Sequence, residues 1–436
     1  MVLSVRDEIE ETARPAVLVR RSDLPVPLSH PARSFFGGLP KLPPQFEWPK
    51  AEVKAHEVLE TVALTFVAQI DLAEVPDAKW SPLPKRGTLY FFCSSVFEGE
   101  AFPPCRVIYS DTAGDAYADR APPPDLMPLA GTSGGFRVKW LDPALDFHSK
   151  VEFKYPLSFL PYRDFLFLED EAVAGELTIE ELCKALGPGE PEQRDLLQFR
   201  SLSEYEKDEH WPFNWLLVTY VVRAVLWHVE HDLTPGSHYR PLTDETVVEL
   251  TRLRAGAIEW FERCRAPIPM DRVDTDTKAI FRSWWLDVAR AYKEMHGRTA
   301  TYPGQMPTDL GNAINHTIRY MAIEDADLLD DVPLSYVVNL ERQNRWMTPT
   351  GTDGQHRFFS IALHQMLGYG SSPPVRTRSI RRTYRCSRCM AISLFLIGTP
   401  TSGASFNFGS IRMLSRSSTL RRLSPRSNAT SVMSAL

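Results

Sequence analysis

Gln69 and Asp71, two residues apart in Leu64-Thr-Phe-Val-Ala-Gln-Ile-Asp-Leu72, are side chains whose spacing invites a chemical reading. Period-two alternation puts Leu64, Phe66, Ala68, Ile70 and Leu72 on one face of a half-buried strand and Thr65, Val67, Gln69 and Asp71 on the other. An amide and a carboxylate on one strand face must meet water or find partners. They either line a polar pocket or hydrogen-bond nearby backbone and fix the proline-rich turns. The second is preferred, because buried polar groups more often specify a fold than bind a ligand.

His228-Val-Glu-His231 offers a different chemistry. Two imidazoles at i and i+3 share a helix face and can hold zinc, yet the run is neither HExxH nor HxxEH. His228 and Glu230 match the H-x-E of zinc deaminases, whose second half is Pro-Cys-x-x-Cys. Here the CxxC, Cys386-Ser-Arg-Cys389, follows Arg385 and lies far downstream. A polar helix end with imidazoles at its negative dipole is the plainer reading. The CxxC pair itself lacks both the strand-to-helix setting of a redox motif and a second pair of zinc ligands. The acidic run at 324–331 has no calcium-loop glycine and reads as a solvated linker, and Ala130-Gly-Thr-Ser-Gly-Gly135 lacks a phosphate-loop lysine and reads as a turn. No nucleophile, base and orienter assemble from the sequence, so no catalytic residue, metal or cofactor is assigned.

The elements that must carry these residues change character along the chain. Residues 64–72, 87–93 and 106–109 read as strands, and the alternating stretches 136–140 and 151–155 extend the sheet to about residue 170. Helical spacing then takes over. Helices are expected at 178–187, capped near Thr178 and stopped by Gly187, and at 214–230, apolar nearly all round and therefore internal. Further helices are expected at 244–263, 275–296 and 309–322, with Phe281, Trp284, Val288, Tyr292 and Met295 as the buried stripe of the second.

Length and composition fit a soluble globular protein of 436 residues, with 43% hydrophobic and 24% charged residues. The 35 prolines foretell many extended segments and turns. The N-terminus carries acids where a secretory signal needs a basic start, and the longest apolar stretch, 212–227, is broken by Asn214 and Arg223. No membrane segment is expected. The six scattered cysteines agree with a reducing compartment, hence a cytoplasmic protein. The net charge of −6 hides an asymmetry: residues 371–436 contain 11 Arg, 15 Ser and no Lys, His, Asp or Glu, which leaves −17 on residues 1–370. That acidic body argues against nucleic acid, and the tail has few aromatics on which bases could stack.

Phe35-Phe-Gly-Gly-Leu-Pro-Lys-Leu-Pro-Pro-Gln-Phe-Glu-Trp-Pro49, Phe66-Val-Ala-Gln-Ile-Asp-Leu72, Leu83-Pro-Lys-Arg-Gly-Thr-Leu-Tyr-Phe-Phe92 and His364-Gln-Met-Leu-Gly-Tyr369 follow one another in an order that resembles the YwqG-like bacterial family, a domain of unknown function catalogued as DUF 1963. The resemblance covers about 20–110 and 345–370. It implies a β-rich α+β core of antiparallel or mixed sheets in two similar halves, here with a large helical insertion. It also implies that Trp48 and His364 join Gln69 and Asp71 as candidate ligand-binding residues. The family's second Gln-Ile-Asp and Gly-x-Leu-Tyr-Phe-Phe pair is missing after Gly370, which reads as a reading-frame change near codons 366–380. The resulting organisation is an N-terminal segment (1–20), a β-rich first half (21–170), a helical insertion (171–330), a return segment (331–370) and an aberrant, disordered or frame-shifted tail (371–436). A non-enzymatic module with a protein partner is the expected function. A hydrolase using Asp71 and His364, or a zinc protein using His228 and His231, are the competitors. Oligomeric state is left open.

Overall fold

The computed structural model describes residues 4–55, 58–76, 83–94, 104–127, 150–165, 171–187, 200–237, 241–295 and 305–343, with short pieces at 129, 197, 299, 346–347, 358–359, 363–367 and 413–414. The turn expected at 130–135, the strand expected at 136–140 and the CxxC at 386–389 lie outside these residues. So does the tail from 371 onward, apart from Met413 and Leu414.

The protein is α+β. A short helix α1 (Val5–Glu11) precedes strands β1 (Arg14–Arg21), β2 (Phe35–Phe36), β3 (Lys50–Ala55), β4 (Val58–Ala63), β5 (Thr65–Asp71), β6 (Thr88–Cys93), β7 (Cys105–Ser110) and β8 (Tyr155–Asp164). Helices α2 (Glu171–Leu186), α3 (Leu202–Lys207), α4 (Trp215–Leu233), α5 (Asp244–Arg263), α6 (Thr275–Glu294), α7 (Gln305–Glu324) and α8 (Leu334–Gln343) follow. The short strands β9 (Trp346–Met347), β10 (Phe358–Phe359), β11 (Leu363–Met366) and β12 (Met413–Leu414) come last. One sheet runs in the order β11, β1, β8, β2, β5, β6, β7, β12. Its pairings are antiparallel except for the parallel contact of β12 with β7.

Strand β5 is buried on both faces, not half-buried as its alternation suggested. Its register slips between Phe66 and Ala68: Phe66 pairs with Phe92, Ala68 with Phe91. The extra residue, Val67, reverses the faces upstream of it. Phe66 therefore sits on the Gln69 and Asp71 side, packed with Phe35, Tyr90 and Phe92, while Val67, Ala68 and Ile70 join Val17, Val19, Leu89 and Phe91 on the other. The bulged carbonyl of Val67 accepts the Gly37 N–H at 2.8 Å, so the kink leaves no orphaned acceptor there.

Two strands depart from the sequence reading. β1 falls in the segment assigned to an N-terminal extension, yet Ala16 to Val19 are buried between β8 and β11. A strand covered on both faces shows no alternation to read. β8 contains Pro156 and Pro161, which argue against a strand. Pro161 stands opposite Val17, whereas the ladder bond from Ser22 N–H reaches the Pro156 carbonyl. Counting along the register puts Pro161 in a non-hydrogen-bonded pair, where its missing N–H points away from β1.

Helix α2 packs on the sheet, with Leu182 against Ala16, Leu18 and Tyr162. It begins at Glu171, so Thr178 is not a cap; its hydroxyl bonds the Ala174 carbonyl within the helix. Helix α1 packs Ile9 against α2, and helices α3 to α8 form a bundle around α4, whose cap is Asn214, accepting the Leu217 N–H at 3.0 Å. On α6 the fully buried tryptophan is Trp285, not Trp284, which lies half-buried across Gly256 of α5. Helix α8 carries the helical run into the return segment, burying Tyr336 and Leu340 one turn apart. The bundle meets the sheet where Phe153 packs its ring on His316 and Tyr320 of α7, each 5.2 Å away. No described helix is long and apolar enough to cross a membrane.

Candidate functional site

β2 is only two residues long, but the polar side chains of the sheet gather around it. Phe35 stands opposite Gln69 on β5 and Pro156 on β8. Gln69 is completely buried. Its amide donates to the carbonyls of Arg33 (2.8 Å) and Gly114 (2.6 Å), and its oxygen accepts the Lys41 N–H at 2.9 Å. Asp71, equally buried, accepts the N–H groups of Ala73 (3.0 Å) and Gly114 (3.1 Å), and the Arg33 guanidinium lies 3.3 Å from it. Its own N–H donates to Ser34 Oγ at 2.9 Å. Three loops are thereby fastened to one strand.

The clasp requires glycine at 114. A Cβ there would stand 2.8 Å from the Arg33 carbonyl and 3.0 Å from the Gln69 amide nitrogen. Across β2 lies Lys154, which no sequence pattern singled out. It is 2% exposed, its ammonium donating to the carbonyls of Leu28 (2.8 Å) and His30 (2.7 Å) and sitting 4.6 Å from the centre of the Phe35 ring. Burial holds this lysine below its ordinary range, with Asp119 acting the other way. Its carbonyl partners are more than 120 residues away in the chain, so no local spacing could reveal them.

Trp48 joins the same side of the sheet. Its indole N–H donates to the Leu64 carbonyl at 2.8 Å and its ring meets Phe92 edge-on at 5.3 Å. It borders a recess of about 190 Å³, open mouth included, with Leu39, Phe66, Leu126 and Val151 among its other walls. Only about 10 Å³ of it admits the centre of a water molecule, far below the ~300 Å³ at which small-molecule pockets begin, so it holds about one water. His364 lies on β11, at the end of the sheet order. It pairs through its backbone with Val19. Strands β1, β8 and β2 stand between its strand and β5 in the sheet order, and the sheet curls so that Val19 packs in one cluster with Val67, Ala68 and Ile70 of β5. Trp48, Gln69 and Asp71 thus lie on one side of β5.

In the bundle, the two histidines of the HVEH run diverge. His228 is completely buried, its Nε2 2.5 Å from an Asp309 carboxylate oxygen on α7. His231 is exposed and stacks on Trp227 at 5.0 Å. Tyr292 lies beside His228, its phenol pushed up by burial and by the neighbouring Asp232. Among the described residues no group of three His, Cys, Asp or Glu side chains is placed to hold a metal ion. The missed partner here is Asp309, which sequence separation of 81 residues conceals.

Within the helical bundle, Asp208 accepts Tyr336 Oη at 2.6 Å, Arg200 at 2.8 Å and the His210 backbone at 3.1 Å. Burial raises this carboxyl, but the hydrogen bonds from Tyr336 and His210 together with Arg200 outweigh it, so the net displacement is downward. Among curated proteins no match is found. A family model described as "Domain of unknown function (DUF1963)" matches residues 34–209, from Ser34 of the clasp through α2 and α3 to the residue after Asp208.

Proposed function

Since residues 34–209 make the chain a member of the DUF1963 family, we propose that it is a non-enzymatic, cytoplasmic module that binds a protein partner. One observation carries this reading. The amide and carboxylate of the family's Gln-Ile-Asp strand are spent on backbone of their own chain, which is the work of a scaffold. Recognition then falls to the surface. The stretch from α5 into α6 exposes Ile258, Ile268 and Ile280, at 41, 65 and 56%. Exposed acids Glu259, Glu262, Asp271, Asp274 and Asp276 interleave with them. Arg263 and Arg265 pair with Glu259 and Glu262, so the stretch presents apolar side chains among charges of both signs, which suits a partly apolar partner segment with a polar rim.

Affinity capture with the full chain and with an I268D/I280D variant tests the reading. A stoichiometric partner that is recovered by the first and lost by the second is the expected result. Identical recoveries from both forms, alongside turnover of a small-molecule substrate, would overturn it.

A further inference from the structure

Cys93 ends β6 and Cys105 opens β7, and the two are direct partners in the antiparallel register. The next rung is closed by the Ser94 N–H donating to the Pro104 carbonyl at 2.8 Å. Hydrogen-bonded and non-hydrogen-bonded pairs alternate, so Cys93 and Cys105 occupy a non-hydrogen-bonded pair, whose Cα atoms stand about 4.5 Å apart with side chains close. That separation lies within the range spanned by disulfides, about 4.4–6.8 Å. The side chains agree with the backbone: the two Sγ atoms are 2.8 Å apart, as thiols. Neither residue belongs to the clasp around β2, and the sequence, with eleven residues between them, gives no sign that they meet.

We infer that Cys93 and Cys105 are a redox modification site, converted to an intramolecular disulfide by a low-molecular-weight disulfide and returned to thiols by a low-molecular-weight thiol. Cys105 is half-buried and Cys93 only 4% exposed, so Cys105 is met first. Its thiolate attacks one sulfur of the oxidant RSSR, forming a mixed disulfide and expelling RS⁻. The Cys93 thiolate then attacks Cys105 Sγ, forming the Cys93–Cys105 bond and expelling a second RS⁻. The two protons lost by the cysteines end on the two departing thiolates, and RSSR takes up the two electrons. The hydrogen bond shared with Cys93, followed by burial, holds the Cys105 thiol far above the ordinary range, so the exchange is slow near neutrality and quickens as pH rises. Cys264, on the bundle, has no cysteine partner among the described residues and is pushed up to about 11 by burial. The bond would lock the end of the β6–β7 ladder, next to the stretch of β7 that pairs with β12.

The test equilibrates the full-length protein with oxidised and reduced glutathione in varied ratio, unfolds it in urea, alkylates the remaining thiols and maps the peptides. A Cys93–Cys105 cross-linked peptide, about 2 Da lighter than the sum of its thiol forms, should accumulate with the oxidised fraction. Thermal unfolding should rise by roughly 5–10 °C and fall back with dithiothreitol. In C93S the mixed disulfide should stall as a glutathione adduct on Cys105, whereas C105S should gain none on Cys93. Full alkylation of both cysteines at every ratio in the wild-type protein, or cross-links that instead join Cys183, Cys264, Cys386 or Cys389, would overturn the inference.

Discussion

Asp71 shows how a chemically capable side chain becomes a structural one. A buried carboxylate with two backbone N–H donors and a guanidinium around it has three of its roughly four lone-pair sites taken by its own chain. Asp71→Ala removes the acceptor for Ala73 and Gly114 and leaves Arg33 with Glu74 alone. The expected loss is about 2–4 kcal/mol, seen as a lower urea midpoint at unchanged slope. Gln69→Leu, which orphans two carbonyls and one N–H, should cost a similar amount. A folded Asp71→Ala protein of wild-type stability would contradict the scaffold role. At this scale the sequence disclosed the pair and its polar face, because alternation is local. Ala73 apart, it did not disclose their partners, which sit 28 to 45 residues away on loops that have no period.

At the scale of elements, the two-residue β2 and the glycines after it form the hinge of the sheet. Gly37 has a φ of +66°, and a Cβ on it would stand 2.0 Å from the Phe153 carbonyl oxygen. Gly37→Ala therefore combines left-handed backbone strain with a backbone clash. It should destabilise by more than about 3 kcal/mol, checked by thermal unfolding of soluble protein or by loss of soluble yield. The Phe-Phe-Gly-Gly run was legible as a motif, and the bulge that gives it meaning was not. A one-residue slip at Val67 leaves the apolar pattern intact while exchanging its faces. The long helices were easier: Asp244 to Arg263 emerges as read, because Thr243 caps it and Leu250, Leu253, Ala257 and Trp260 keep the helical period. Trp284 and Trp285 are adjacent, and only packing against Trp211 and Tyr205 decides that the second goes inward.

Across the whole molecule, buried phenols are spread through both parts. Tyr90 and Tyr162 lie in the sheet, and Tyr205, Tyr292 and Tyr336 in the bundle. Burial is the leading cause that raises each of them. In the unfolded chain a tyrosine ionises near ~10, whereas the folded protein keeps these protonated to higher pH and so binds more protons. Their contribution is present below about pH 10 and is lost as pH climbs toward the raised values. Lys154 and Lys278, both displaced downward by burial, act with the opposite sign just below the ordinary lysine range, two groups against the five buried phenols. Urea midpoints measured from about pH 8 upward should therefore fall steeply beyond about pH 10, and a flat profile there would refute the burial of these rings.

The order of strands also has a history in time. β1 lies between β8 and β11, yet nearly two hundred residues separate Asp164 from Leu363. At roughly 5–20 residues per second, a ribosome needs on the order of 10–40 s to supply the missing neighbour. Throughout that interval the hydrogen-bonding rim of Arg14–Arg21 is a bare template, and any extended chain that reaches it first can usurp the place reserved for Leu363–Met366. Swift docking of the bundle, whose contacts are largely between neighbours in sequence, shortens the wait by carrying the late strand home on a preformed body.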